Sequence, residues 1–133
     1  MEHTEGIHAV VLEKDRVIVD SIERHLAKRS YIVTTLSEKK EALSLLGKKH
    51  YQLAIVGDTE ANGSVFKAMR DIVRTSPMTS IILITDLSQK EVDEKAEGYG
   101  ILGRVTREIP SEDLTTLLNN FEKILKSFSQ SKL

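Results

Sequence analysis

The alternation of two kinds of segment constrains the fold of this chain more than any other feature of its sequence. Five short segments are rich in β-branched residues and predict strands, at 7–13, 31–36, 51–57, 80–85 and 103–109. Five stretches with helical periodicity alternate with them, at 17–29, 38–46, 65–75, 89–97 and 114–128. This order predicts an open, mostly parallel sheet with right-handed crossovers and helices on both faces.

The composition of the strands predicts their places in the sheet. The runs "AVVL", "LAIV" and "IILI" are continuously apolar, which is typical of central strands covered on both faces. The segments "YIVTTL" and "GRVTREI" are more mixed and are expected nearer the edges. Ser37 is expected to cap the second helix. Sheets of this kind place their site at the carboxyl ends of the strands, so the residues that follow each apolar run are the candidates for function.

Size and charge exclude several classes of function. The 133 residues correspond to one domain, expected over 1–128, with 129–133 as a tail or the start of a linker. The net charge of -1 and the 5% of aromatic residues argue against nucleic-acid binding. No apolar run is long enough to cross a membrane, and the absence of cysteine fits a cytoplasmic protein.

Over residues 7 to about 126 the chain resembles the receiver domains of bacterial two-component response regulators. In that family an aspartate at the end of the third strand accepts a phosphoryl group, and two acids after the first strand hold Mg²⁺. A Ser or Thr ends the fourth strand, and a Lys followed by Pro ends the fifth. The resemblance implies a flavodoxin-like (βα)5 three-layer sandwich with a five-stranded parallel sheet.

The family pattern can be placed on this sequence in one register. "AVVLEKDRVIVDSIERHL" puts Glu13 and Lys14 at the positions of the acid pair, and "IILITD" puts Thr85 at the hydroxyl position. "VTREIPSEDL" puts Arg107 at the lysine position and Glu108 at the proline position. The resemblance therefore implies a phosphoacceptor pocket in which several working parts have been replaced.

The acceptor position itself falls on a glycine. Both "QLAIV" and "VFKAMRDIVRTSP" fit the family without a gap when Gly57 occupies that position, which leaves Asp58 one residue too late. Because successive side chains of a strand point to opposite faces, Asp58 is expected to point away from the pocket. A bulge at Gly57 would turn it back.

The other departures from the family point the same way. Lys14 puts a cation where Mg²⁺ needs an oxygen ligand, and Asp86 adds negative charge beside Thr85. Glu108 in place of proline predicts a trans peptide bond and a reshaped loop. Arg104 occupies the family's aromatic switch position and cannot be buried in the same way.

These residues suggest a permanent ion-pair cluster in place of metal and phosphate. In this hypothesis Lys14 and Arg107 pair with Glu13, Asp58 or Asp86 and hold the pocket in one state. The expected protein is a pseudo-receiver of a signalling system that acts by protein contact, without enzymatic activity, catalytic residues, cofactor or metal. Its expected partners are a histidine kinase, an output domain or another receiver, with a possible homodimer through the fourth and fifth helices.

Two alternatives remain open at the level of sequence. The first is a functional phosphoacceptor in a phosphorelay, which would use Asp58 and bind Mg²⁺ through Glu13 and Asp58. The second is a flavodoxin-like enzyme or ligand-binding domain that uses the crevice at the ends of the strands.

Overall fold

A computed structural model describes residues 6–57 and 64–131, with side chains of the last helix described as far as Phe128. Five strands alternate with five helices in the described residues, as the sequence predicts. The strands are β1 (His8–Leu12), β2 (Ile32–Leu36), β3 (Leu53–Val56), β4 (Ser80–Ile84) and β5 (Gly103–Val105). The helices are α1 (Arg16–Ala27), α2 (Lys39–Lys48), α3 (Val65–Thr75), α4 (Gln89–Lys95) and α5 (Ser111–Ser131).

The strands form one parallel sheet in the order β2-β1-β3-β4-β5. The predicted places of the strands are confirmed: β2 and β5 lie at the edges, and the apolar runs of β1, β3 and β4 are central and buried. The chain reverses its direction of progress across the sheet between β1 and β3. Parallel sheets of this type place ligands beside that point, at the carboxyl ends of the strands.

Two apolar cores cover the two faces of the sheet. Along β1, Ala9 and Val11 face the core built with α1 and α5, whereas Val10 and Leu12 face the core built with α2, α3 and α4. This alternation is the period of two that a strand requires. Because both faces are covered, the open edge at the carboxyl ends of the strands remains as the place for a site.

Hydrogen bonds from capping side chains fix where three of the helices begin. The Asp15 carboxylate accepts from the backbone N–H groups of Val17 and Ile18, and Ser64 and Ser88 cap α3 and α4 in the same way. The expected Ser37 cap of α2 is wrong. The residue at that position is Glu38, whose side chain makes no capping hydrogen bond.

The last strand is shorter than the sequence predicts. It ends at Val105, and residues 106–109 form a turn closed by a 2.9 Å hydrogen bond from the Ile109 N–H to the Thr106 carbonyl. The buried Ile109 has a φ of 50°, a backbone conformation that is rare for a β-branched residue. No described peptide bond is cis, so the bond before Glu108 is trans as expected.

A polar cluster attaches α5 to the opposite end of the sheet. Arg29 binds both carboxylate oxygens of Glu122 at 2.8 Å, and the Tyr31 hydroxyl donates to the same carboxylate at 2.7 Å. Burial acts to raise the pKa of Glu122, but the hydrogen bonds from Arg29 and Tyr31 outweigh it and hold that pKa below its usual range. Burial and the bond to Glu122 raise the pKa of Tyr31. The cluster fixes the middle of α5 against α1 and β2.

Candidate functional site

Gly57 closes the third strand at the carboxyl edge of the sheet. Its N–H donates to the Leu12 carbonyl at 2.8 Å, so the parallel register with β1 continues one residue beyond β3. A Cβ atom at this position would overlap the Glu13 carboxylate and would also come within 3.4 Å of Ile84. The space where the family's acceptor side chain would begin is therefore filled by Glu13.

The Glu13 carboxylate is almost completely buried and accepts three hydrogen bonds. Its side chain is 1% exposed. Arg107 donates to Oε1 through Nη1 at 3.0 Å and to Oε2 through Nη2 at 2.9 Å, and the backbone N–H of Asp15 donates to Oε2 at 2.8 Å. A two-pronged contact of this kind matches the planar guanidinium to the planar carboxylate. A buried carboxylate needs such partners to offset the loss of water.

Arg107 reaches Glu13 across the ends of two intervening strands. Its backbone N–H donates to Oδ1 of Asp86 at 2.9 Å, which ties the loop after β5 to the loop after β4. Just before this contact, where β4 and β5 end, the N–H of Thr85 donates to the carbonyl of Val105 at 2.9 Å. These two bonds fix the point from which the Arg107 side chain starts.

Thr85 is buried at the end of β4, at the position where the family has its hydroxyl. Its hydroxyl oxygen accepts from the backbone N–H of Leu87 at 3.2 Å. A hydroxyl in this local turn stabilises the loop that follows β4.

The structure brings together only part of the expected ion-pair cluster. Glu13 and Arg107 form the pair, and Asp86 contributes through its bond to the Arg107 backbone. Lys14 is exposed and forms an ion pair with neither Glu13 nor Asp86 of the described ranges, so of its expected partners only Asp58 stays a prediction. Lys14 lines a small cleft with Thr35, Leu36 and Ser37 at the end of β2, on the side of Glu13 away from β5. Asp58 lies outside the described residues.

The described residues do not fit a magnesium ion at this edge. Mg²⁺ needs several oxygen ligands at near-ideal octahedral positions, of which a protein supplies one or two carboxylates. Here the Glu13 oxygens already accept from Arg107 and Asp15, and Gly57 offers no side chain. Within residues 6–57 and 64–131 no group of three or more His, Cys, Asp or Glu side chains is placed to hold a metal.

Arg104 lies on β5 at the position of the family's aromatic switch. Its side chain is partly buried, and its Nε is buried without a hydrogen-bond partner in the described part of the chain. The expectation that a cation is not buried like an aromatic ring fits this partial exposure. With Arg104 at this position, the chain has no aromatic side chain on β5 that could move between a buried and an exposed position.

An open cleft of about 460 Å³ lies beside the pair, between the start of α3 and the ends of β4 and β5. Phe66 and Leu87 contribute apolar surface, whereas Thr85, Asp86, Lys95 and Arg107 contribute polar groups. The Lys95 ammonium lies 5.5 Å from the centre of the Phe66 ring, a distance at which a cation is attracted to an aromatic face. The cleft is thus bounded by a cation held over an aromatic ring.

Comparison with known proteins supports the fold that the strand order indicates. A response regulator receiver domain protein from Methanospirillum hungatei JF-1, described as CheY-like, superposes with a TM-score of 0.78 at 15% identity, over 91% of this chain and 97% of that one. The fold is that of a receiver domain. The receiver domain of an HD domain-containing protein from Pseudomonas fluorescens Pf-5 gives the same TM-score at 18% identity, over 93% of this chain and 92% of that one.

A curated plant protein is similar to this chain in sequence. The chain is 27% identical over 124 residues to a two-component response regulator-like protein, APRR4, of Arabidopsis thaliana. The match covers 92% of this chain and 42% of that protein, so the chain spans less than half the length of its curated relative. No protein-family profile matches the chain. The resemblance to receiver domains stated from the sequence is confirmed.

The sequence analysis missed the role of Asp15 in the receiver-like pocket. Asp15 caps α1 with its carboxylate and holds Glu13 with its backbone N–H. The signal was present, since an aspartate directly before an apolar-periodic run marks the start of a helix. What the sequence did not show is that the first turn of α1 points a backbone donor at Glu13.

Proposed function

We propose that this chain is a receiver-like signalling domain that acts by contact with other proteins and is not phosphorylated. One observation carries the proposal: the Glu13 carboxylate, clamped by Arg107, fills the space that a side chain at Gly57 would need. An incoming phosphoryl group would meet a buried carboxylate in place of a metal ion. Like charges at this distance repel strongly in a site of low dielectric constant.

The pair substitutes for the charges that a phosphorylated receiver acquires. In the family, as the resemblance implies, a phosphoryl group is bound between a cation from the last strand and a metal ion. Here an anion from β1 and a cation from β5 are supplied by the chain itself and neutralise each other. The proposed domain has no cofactor and no metal, and its pocket has one state.

The partners follow from the same proposal. A domain without enzymatic groups transmits its state through its surface. The proposed partners are a histidine kinase, an output domain or another receiver. The proposed location of these contacts is the cytoplasm. None of the helices in the described residues is long and apolar enough to span a membrane. The exposed side chains of Ile124 and Phe128 on α5 belong to the surface through which a homodimer by α4 and α5 would form.

Phosphorylation is tested by mass. The protein is incubated with Mg²⁺ and a small phosphodonor such as acetyl phosphate, next to a receiver domain that retains its aspartate, and both are weighed intact. We expect the receiver control to gain a phosphoryl group and this chain to remain unmodified. An adduct that disappears in Asp58→Asn would instead establish the alternative of a phosphoacceptor at Asp58.

A second measurement separates protein contact from ligand binding in the cleft beside Arg107. Thermal unfolding is followed with a panel of nucleotides and flavins. The proposal predicts no stabilisation by any of them. A clear rise in the unfolding temperature with one ligand, lost in Phe66→Ala, would favour the ligand-binding alternative, since Phe66 supplies the aromatic surface of the cleft.

A further inference from the structure

The edge strand β2 has an outer side that no other strand of the described residues covers. Its single strand neighbour in the described part of the chain is β1, and its five residues, "IVTTL", include neither a charged residue nor a proline. Proteins usually protect an exposed edge with lysine, proline or a bulge, because unpaired backbone groups there can pair with another strand. Ile32 on this strand is 49% exposed, although it is a large apolar residue.

The hydrogen bonds to β1 show which backbone groups of β2 face outward. The Ile32 N–H donates to Ile7 at 2.8 Å, and the Leu36 carbonyl accepts from Glu13 at 3.0 Å. Backbone groups of successive residues in a strand point to opposite sides. Residues 32, 34 and 36 therefore bond to β1, and Val33 and Thr35 direct their N–H and C=O groups away from the sheet.

These outward groups have the spacing that a second copy of the same strand requires. In an antiparallel pair, two residues that face each other and point toward each other exchange both of their hydrogen bonds. With Thr34 on a two-fold axis, Val33 of one copy lies opposite Thr35 of the other, and the symmetry repeats this contact. In this register the N–H and C=O groups of Val33 and Thr35 in both copies are all paired, which gives four hydrogen bonds between the two strands.

The same register also matches the side chains. Ile32 of one copy lies opposite Leu36 of the other, on one face of the joined sheet, because positions 32, 34 and 36 share a face. On that face an open groove of about 430 Å³ is lined by Leu36 and Leu45, with Ser44 between them. The exposed Ile32 would be covered at the mouth of this groove. Lys40, Glu41 and Lys48 also line the groove, so charges of both signs are available there.

We propose that two copies of this chain associate through their β2 strands, antiparallel and with Thr34 on the axis, to form one continuous sheet. The proposal goes beyond the proposed function, which leaves the oligomeric state open. It also differs from a homodimer through α4 and α5, because it joins the two copies by backbone hydrogen bonds along the edge strand β2. A protein of this kind would present two receiver-like surfaces at fixed spacing.

The test is the oligomeric state of the full chain and two variants, measured by sedimentation velocity over a range of protein concentrations. Val33→Pro removes one outward N–H and leaves the bonds to β1 in place, since an edge strand tolerates proline where its N–H faces away from the sheet. Ile32→Lys places a charge at an exposed position on the dimer face. We expect a concentration-dependent dimer for the natural sequence and a monomer for both variants. Circular dichroism and thermal unfolding verify that each variant is folded.

Two controls make the result specific to β2. Met78→Lys changes another exposed apolar residue, 73% exposed in the turn before β4, and should leave the dimer unchanged. Ile124→Lys changes the exposed face of α5 and should also leave it unchanged. The proposal is overturned if the natural sequence is a monomer at every concentration. It is equally overturned if folded Ile32→Lys remains a dimer, or if Ile124→Lys alone abolishes the dimer.

Discussion

The carboxylate of Glu13 occupies the place where a side chain on Gly57 would begin. The two residues directly follow neighbouring central strands, and the glycine leaves room for Arg107 to reach Glu13 across the ends of β3 and β4. Neither residue explains the arrangement alone. The missing side chain at position 57 and the buried ion pair are parts of one packing solution.

Gly57→Ala is expected to destabilise the protein, because the added methyl group must displace the Glu13 carboxylate from Arg107. Loss of hydrogen bonds to a charged group predicts a decrease of about 2 kcal/mol in the free energy of unfolding. Urea unfolding at neutral pH measures it. The double variant Gly57→Ala with Glu13→Ala has room for the methyl group, so the further loss on adding Gly57→Ala to Glu13→Ala should be small.

Gly47→Ala is the matched control for this substitution. Gly47 lies within α2, and a Cβ atom there meets nothing closer than 3.9 Å. Alanine is favoured over glycine in a helix, and in this last turn of α2 we expect a gain of at most about 0.5 kcal/mol, so the variant should be at least as stable as the natural protein. Equal effects of the two alanines would contradict the special role of position 57.

Arg107→Gln is expected to cost about 3 kcal/mol of unfolding free energy, since it leaves the Glu13 carboxylate buried without its counter-ion. Arg107→Lys keeps the charge but loses the two-pronged contact. Its free energy of unfolding should lie between that of the natural protein and that of Arg107→Gln. In the double variant with Glu13→Gln the loss should be smaller than the sum of the single losses. Additive losses in this cycle, measured by urea unfolding, would show that the two side chains do not interact.

The Glu122 cluster is expected to make the stability of the fold sensitive to acid. Burial raises its pKa, yet the bonds from Arg29 and Tyr31 prevail and lower it in the folded protein. The carboxylate therefore stabilises the fold above the pKa of the unfolded chain, about 4.3, and this contribution is lost as the pH falls through the lower folded value. Glu122→Gln should be less stable than the natural protein at pH 7. Thermal unfolding from pH 7 to pH 3 should show a smaller loss for the variant, and parallel curves would refute the role of the cluster.

The contribution of Tyr31 to stability is expected to decrease at alkaline pH, whereas that of Glu122 decreases at acidic pH. Burial, followed by its bond to Glu122, raises the pKa of the phenol in the folded protein. Its neutral form therefore stabilises the fold below the unfolded pKa of about 10, and this contribution decreases as the pH rises above that value. The natural protein should exceed Tyr31→Phe in stability at neutral pH, with a difference that narrows above pH 10. A difference that stays constant with pH would be inconsistent with the shift.

The sequence predicted the sheet well because strand burial leaves a strong pattern. The runs in β1, β3 and β4 are apolar at every position because both faces are covered, and this composition marks them as central. The end of β5 was harder to predict. Residues 106–109 look like a continuation of a mixed strand, but the turn at Ile109 depends on burying that side chain in the core beneath α5.

The sequence predicted which residues lie at the candidate site better than it predicted which of them contact each other. Charged residues at the ends of strands follow from the parallel order of the sheet, and this reasoning reached Glu13, Asp86 and Arg107. It could not choose between Lys14 and Arg107 as the partner of Glu13. The structure pairs Glu13 with Arg107, whose backbone N–H is held by Asp86 from the loop after β4.

The ion pair between Glu13 and Arg107 also has a consequence for the order of folding. The two residues are 94 positions apart in the chain, and β3 and β4 lie between their strands. Closing so long a loop has a large entropic penalty until the intervening strands have assembled. We therefore predict that the pair forms after the transition state, so that its removal speeds unfolding and leaves the rate of folding nearly unchanged.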